Sequence, residues 1–596
     1  MRTVPCVPGP NAISDIGLER VEELHEARTP DVSLVQRSTS RPKPTRREGA
    51  NMYRQVLDPV AHSLAWSSLV AALPLAALFV MLGVLRMRAW MASVVSLAVA
   101  IAIAVAVYGM PIGQAALAGG EGAVFGFFPI LWIVINAIWV YQMTVETGHF
   151  DVLRRSFATV SDDHRIQAII IAFSFGALLE ALAGFGTPVA VTSVMLLALG
   201  FKPLKAAVLA LVANTAPVAY GAMATPIITL AKTSGLPIDT LGAMVGRQTP
   251  ILAAFVPLAL VAIADGWRGV RETWLVALTG GVVFGLGQYA TSNFVSVPLA
   301  DVIASLLSAG AVVSLVRIRP PHAARIGTPV IAGGAVDTPT PDFAGRVANP
   351  DSRAEVLRAY APYAIVIAVF VICQVAAVKK LLENATFIVH WPGLHLYTAK
   401  GTPSSLPNFT LNLLTTPGTQ MLVAGIVTMV ALRLSVIRAL RAYGATLYQL
   451  RWAIVTVMAV LALAFVMNAS GQTITLGTWM AGAGGAFALI SPVLGWLGVA
   501  VTGSDTSSNS LFGALQVTAA TKAGLSPVLM AAGNSSGGVL GKMISPQNLA
   551  IGAAAVGVHG KEGDIFRRVF IWSLVFLAFI CALSGLQASL LSWMVP

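Results

Sequence analysis

From about residue 60 onward the chain is written in apolar stretches near 20 residues long, parted by short polar ones. Within a stretch the apolar residues run on continuously, without the alternation of a half-buried strand. Bilayer hydrocarbon is about 30 Å thick and a crossing helix needs about 20 mainly apolar residues. Spans are therefore predicted near 63–86, 89–109, 130–148, 166–183, 188–200, 204–231, 245–265, 272–293, 298–317, 359–378, 419–438, 452–470, 473–490, 510–555 and 567–594. Segment 204–231 is interrupted and 510–555 reads as several broken pieces. The expected fold is an all-α polytopic membrane protein with about 12–14 crossings.

The exceptions to the pattern divide the chain. Residues 1–52 are polar, rich in Pro and Arg toward their end, and lack the apolar core of a secretory signal, so they read as a disordered extension. Met52 stands just before the first span, which leaves a downstream start site as the alternative. Segment 319–357, rich in Pro, Gly and Arg, reads as a cytoplasmic linker between a first half, 53–318, and a second half, 358–596.

Composition agrees. The chain is 56% hydrophobic and 11% charged, with a mean hydropathy of +0.78; a soluble domain is about a quarter charged. Continuous apolar runs and 8% aromatic residues argue against an outer-membrane barrel. The net charge of +12 resides in short loops, at 86–88, 154–165, 268–271, 317–358 and 433–451, as the positive-inside rule expects. These loops are placed in the cytoplasm, the poorly basic 379–418 loop outside, and the protein in the cell membrane. No nucleic-acid partner is needed to explain the charge. The three cysteines form no framework and the eight histidines no HExxH pair, so neither metal nor cofactor is expected.

Within these apolar runs two regions contain helix breakers. In the first, "GFGTP" (184–188) is followed by Gly200-Phe201-Lys202-Pro203, Asn214 and Thr225-Pro226; in the second, "SDTSS" (504–508) is followed by Gly524-Leu525-Ser526-Pro527, Asn534 and Ser545-Pro546. Asn214 to Pro226 and Asn534 to Pro546 are the same distance in sequence, and so are Gly186 to Asn214 and Thr506 to Asn534. The two halves are therefore expected to be related, with interruptions at 180–231 and 502–550. The breaking residues are Gly184, Gly186, Pro188, Pro217 and Pro226 in the first and Gly503, Gly537, Gly538 and Pro546 in the second. An interrupted membrane helix frees N–H and C=O groups that lipid cannot satisfy, so the breaks must face protein or a wet cavity. Paired interruptions of this kind point to the midplane site of a secondary transporter.

Charge placement supports that site. Glu180 is the one formal charge between Ile166 and Phe201, Asp505 follows 53 uncharged residues, and Lys542 lies in the second broken region. Intramembrane charges are expensive and are functional candidates by default. Glu180 and Asp505 are the proton-coupling candidates. Lys542, Arg247, Thr187, Asn214, Thr225, Ser507, Asn509, Asn534, Ser535, Ser545 and Gln547 are the substrate-binding candidates, with half-helix N-termini as further anion donors. Structural alternatives stand beside these. Glu180 braces a helix pair, Asp505 caps the helix that follows it, Lys542 snorkels to an interface, Arg247 anchors a span end, and the small polar patches serve close helix packing.

Catalysis is not expected. Gly533-Asn534-Ser535-Ser536-Gly537 matches G-x-S-x-G, but a nucleophile elbow needs a preceding strand, and "LSPVLMAA" reads as membrane helix. "SSGGVLGKM" has Ser536 and Met543 where a phosphate loop needs Gly and Ser or Thr.

Long stretches, "FGALLEALAGFGTPVAVT", "LVANTAPVAYGAMATPI", "VGRQTP", "GWLGVAVTGSDTSSNSLFGALQ" and "GKMISPQNLAIG" among them, resemble the L-lactate permease family of bacterial proton-coupled symporters, from about residue 53 to the C-terminus. The resemblance implies uptake of L-lactate, glycolate or a related 2-hydroxy monocarboxylate with protons. Ala181 and Leu182 stand where the family often carries small residues. A sodium-coupled carboxylate symporter is the alternative, with "TGSDTSSN" as the cation site, and a carboxylate channel or receptor a more distant one.

Overall fold

The computed structural model describes residues 52–158, 161, 163–184, 186–319, 352–558 and 560–596. The N-terminal extension and most of the 319–357 linker lie outside the described residues. The described chain is helical apart from two small two-stranded sheets. Among the described residues, ten helices are long and apolar enough to cross a membrane, or up to eleven if the bent pair Pro203–Ala213 and Val218–Ser234 is one span. Side chains such as Trp66, Ile571 and Phe294 are exposed on these helices, as a face turned to lipid requires.

The ends of the helices sort onto two faces. On one, Tyr53–Arg54 pairs with Leu396–Tyr397 and Thr386–His390 with Asn408–Asn412. There the Tyr53 hydroxyl donates to the carbonyls of Tyr108 and Ser470, and Gln114 donates to Gly393 O. Helices running away from this strand-bearing face end, or begin again, at Arg86, Arg88, Arg433, Arg438 and Arg441.

These helices do not map one to one onto crossings: Ile238–Phe294, 57 residues with a kink at Gly266, is long enough for two, while other apolar stretches are limbs of hairpins. His164–Leu182 and Thr187–Ala198 are two such limbs. The ring of His164, at the entry, lies 6.2 Å from that of Phe201, just past the exit. Segment 188–200 therefore returns to the face it came from and is not a crossing. Phe487–Thr502 and Asp505–Ala523 form a second hairpin, whose antiparallel limbs are joined by Ser508 Oγ to Gly495 O and Gln516 Nε2 to Ser491 O, both 3.1 Å. The predicted 130–148 span is the helix Trp132–Glu146; the helix Ile112–Phe125 precedes it across a kink at Phe128, whose backbone is extended.

The two hairpins enter from opposite faces. Gln248 bonds Gln587, close to where Gly585 packs on Leu489 at the base of the second. Asp265 bonds Arg165 at the base of the first. Asp265 is seventeen mostly helical steps along the chain from Gln248, which at 1.5 Å per residue separates the bases by about 25 Å. Arg165 is itself buried and pinned by Asp163, Asp265 and Glu272 at 2.8, 3.0 and 2.6 Å, which fixes the entry of the first hairpin.

Each hairpin is followed by a broken helix. Pro203–Ala213 and the piece from Val218 onward meet at 65°. Pro527–Gly541 is followed by a single turn at Lys542–Ile544 and then by Pro546–Ala555. Proline opens these pieces because the first helical turn lacks acceptors for its N–H groups anyway, and Ser526 and Ser545 cap them through their side chains. Two expected breakers behave differently. Gly537 and Gly538 lie inside the unbroken Pro527–Gly541 helix, where a side chain at Gly537 would strike the Pro492 carbonyl and one at Gly538 the Asp505 carboxylate. They are there for close approach, and the interruption comes after Gly541.

Candidate functional site

The tips of both hairpins and both broken helices converge on one cavity of about 590 Å³. The first tip supplies Gly184 and Gly186, with φ of +53° and +83°, and the second supplies Gly503, with φ of +76°. At these positions the chain must turn inside the membrane in a left-handed conformation that favours glycine. The cavity runs from the tips to Arg88, Trp90 and Trp452 on the Arg-bearing face, where the two indole rings stack at 4.8 Å.

Glu180 is buried on the wall of this cavity and is bonded at both oxygens. Lys542 Nζ lies 2.5 Å from Oε1, and Asn214 Nδ2 donates to Oε2 at 3.0 Å. The pair joins residues 362 positions apart and spans the two broken regions. Gly221 lies against it, and a Cβ there would sit 2.7 Å from Glu180 Oε1. Gly221→Ala is therefore expected to push the carboxylate off Lys542, at roughly 1–3 kcal/mol, and to slow transport about tenfold in reconstituted vesicles without loss of folded protein by size-exclusion chromatography. An unchanged rate would detach the pair from the working site.

Asp505 is the second buried acid on the cavity. Its Oδ2 accepts from Ser535 Oγ at 2.6 Å and Asn509 Nδ2 at 3.2 Å, while Oδ1 has no hydrogen-bond partner among the described residues. The cap of its helix is Ser504, whose Oγ accepts from Ser507 N; Asp505 is the first residue inside. Asn509 reaches further. It donates to Pro226 O and accepts from Asn534 Nδ2, so the second hairpin holds a carbonyl of the first broken helix. Beside Pro226, residues Ala222, Met223 and Ala224 have φ of +44°, +57° and +60°, a run that costs roughly 1–2 kcal/mol per residue for side chains with a Cβ. Freed carbonyls at the breaks find side-chain donors, as Ala216 O does in Gln288 Nε2.

Of the predicted residues, Glu180, Asp505, Lys542, Thr225, Ser507 and Gln547 line the cavity with Gly184, Gly186, Gly503 and Pro226. Asn214, Asn509, Asn534 and Ser535 lie directly behind the two acids. Ser545 caps the helix that carries Gln547 and donates to Lys542 O. Pro188 opens the return limb of the first hairpin, beside Thr187, Pro217 precedes the turn Val218–Tyr220, and Pro546 opens its helix. Arg247 is elsewhere. It bonds Asn293 Oδ1 and Met594 O and lines a separate cavity with Tyr289 and Trp593, because its span end lies at the base of the second hairpin. Arg88, Trp90, Trp452, Thr456 and Asn548 line the main cavity without having stood out in the sequence.

A family model described as L-lactate permease matches residues 67–591. The chain belongs to that family. The L-lactate permease family is one of transporters, so this protein is a membrane transporter and not an enzyme. The glycolate permease GlcA of Escherichia coli is 40% identical over 545 residues, covering 89% of this chain and 97% of its own. The L-lactate permease of Escherichia coli is 40% identical over 559 residues, covering 92% and 100%, and that of Bacillus subtilis 38% over 569, covering 91% and 100%. Among solved structures, Neisseria gonorrhoeae MtrF, described with a class of antimetabolite efflux pumps, aligns with a TM-score of 0.41 at 15% identity, over 79% of this chain and 82% of its own.

Proposed function

We propose that the protein carries a small 2-hydroxy monocarboxylate, lactate or glycolate, across the cell membrane together with a proton, by alternating access. The observation that supports this reading is the buried Glu180–Lys542 pair on the wall between the two hairpin tips. An empty carrier keeps Lys542 neutralised by Glu180. A substrate carboxylate needs the same ammonium, and two carboxylates on one buried cation leave a net negative charge that a low-dielectric site disfavours. Protonation of Glu180 frees Lys542 for the substrate, so anion and proton enter as a neutral couple. The charge saved is about 2.3 kcal/mol per 100 mV of opposing potential.

Around the carboxylate, Thr225, Ser507, Gln547 and the N-terminal turn of the helix at Asp505 offer donors for a hydroxyl and for carboxylate oxygens. A cavity of this volume is in the range that accepts drug-sized ligands, about 300–1,000 Å³, so a three-carbon acid shares it with water. With the Arg-bearing face in the cytoplasm, the cavity opens inward.

Sodium coupling is the second reading, favoured by one observation: the free Oδ1 of Asp505, at a tip rich in hydroxyls. Uptake of labelled lactate and glycolate into proteoliposomes, with pH and sodium gradients imposed separately, decides between them. Accumulation under an inward proton gradient alone is the expected result. Accumulation under sodium alone would replace proton coupling, and absence of either would reject symport.

A further inference from the structure

The cavity accounts for Glu180 and Asp505 but not for a third buried acid. Glu121 lies in the helix Ile112–Phe125 with no exposed surface, and neither of its oxygens has a hydrogen-bond partner among the described residues. An ionised carboxylate in that state is strongly disfavoured. Its helix begins at the strand-bearing face, where Gln114 bonds Gly393 O and His395 N, and Glu121 lies two turns deeper, on the side of the membrane opposite the mouth of the cavity.

Few charged groups face it. The neighbouring helix Ala89–Ala106 carries no titratable side chain. On Val436–Ser470 the charges, Arg438, Arg441 and Arg451, belong to the far end, whereas Leu461 and Phe465 are the residues packed at Gly122. The strand-bearing loop contributes the Trp391 ring, packed at Gly120, and the backbone of Gly393 and His395, none of them charged. Lys232 remains. Its Nζ sits 5.7 Å from the centre of the Phe125 ring, one turn from Glu121 on the same helix, which makes it the cation nearest that carboxylate among the groups named here. That ammonium now donates to Asn408 O in the strand-bearing loop, at 3.1 Å. Lys232 is also the last-turn residue of Gly221–Ser234, the helix whose other end carries Thr225 and Pro226 at the cavity.

We propose that Glu121 is a second proton-binding site, on the strand-bearing side of the cavity, which pairs with Lys232 when ionised and releases it to the loop when protonated. The site controls the closed side. With the proton on Glu121, Lys232 fastens the broken helix to Asn408; once the proton leaves, the ammonium is drawn from the loop to the carboxylate, and the helix and loop part. The inference rests on the proton-coupled reading above.

Lactate counterflow in proteoliposomes, with pH equal on both sides and varied from one experiment to the next, tests it. Wild type is expected to show a pH-dependent rate. Glu121→Gln mimics the protonated state, and Lys232→Met leaves Glu121 no counter-charge; each is expected to flatten the profile several-fold. Because Lys232 is half-buried at a helix end, its variant keeps the test open should the glutamine protein fail to reach the membrane. A wild-type profile retained in both variants, or in the one that folds, would overturn the assignment and leave Glu180 coupling intact. A wild-type rate that ignores pH would instead overturn proton coupling, and this site with it.

Discussion

In Glu180→Gln, accumulation of lactate driven by a pH gradient is expected to fall to passive equilibration, while counterflow stays within about tenfold of wild type. The glutamine keeps the volume of the side chain; its carbonyl still accepts from Lys542, and its NH2 meets Asn214, whose otherwise unpartnered Oδ1 can turn to accept from it, so the cavity wall survives. It cannot carry a proton or hold Lys542 as an ion, which leaves the ammonium permanently available to the substrate. Exchange needs only binding and movement of the loaded form, and loss of one charged hydrogen bond accounts for about a tenfold change. Net accumulation needs the proton. Normal pH-driven accumulation in this variant would remove Glu180 from coupling.

Lys542→Met is expected to be the more damaging change. Removing the cation leaves Glu180 and Asp505 on one cavity without a counter-charge, at about 3–5 kcal/mol, whereas in Glu180→Gln the ammonium still has Asp505 nearby. The folded yield should therefore fall here and transport should drop on the order of 100-fold or more. The double variant Glu180→Gln with Lys542→Met separates the two effects. It is expected to recover part of the folded protein, measured by thermal stability in detergent, because Glu180 no longer stands as an acid without its cation and Asp505 keeps its bonds to Ser535 and Asn509. Transport should stay lost, because nothing is left to hold the carboxylate. A double variant that transports at the wild-type rate would exclude Lys542 as the anion partner.

Much of this site was legible because membranes make charges and helix breakers expensive. Glu180 alone in an uncharged lane, Asp505 after its long apolar approach and the matched spacing from each Asn to each Ser/Thr-Pro all pointed to residues that now lie in or beside one cavity. What the pattern could not supply was direction. Segment 188–200 is apolar enough to cross, and only the meeting of His164 with Phe201 shows that it turns back. Glu121 went unread because Gly119, Gly120 and Gly122 around it resemble a loop, whereas they let the helix press against Leu461 and Val466. The left-handed run Ala222–Ala224 carries no sequence signal, since neither Ala nor Met favours that conformation. The Glu180–Lys542 bond was hidden for a simpler reason: each charge had been assigned separately, one to the proton and one to the substrate.

The bonds of Asn509 to Pro226 O, Thr233 to Asn509 O and Ser536 to Gln248 all tie the second hairpin region to the first half of the chain, and none uses the cargo or Glu180. Loading and unloading therefore leave this seam stitched. On the alternating-access reading, the second tip would then travel together with the broken helix at Pro226 and Thr233, as one block, rather than part from it.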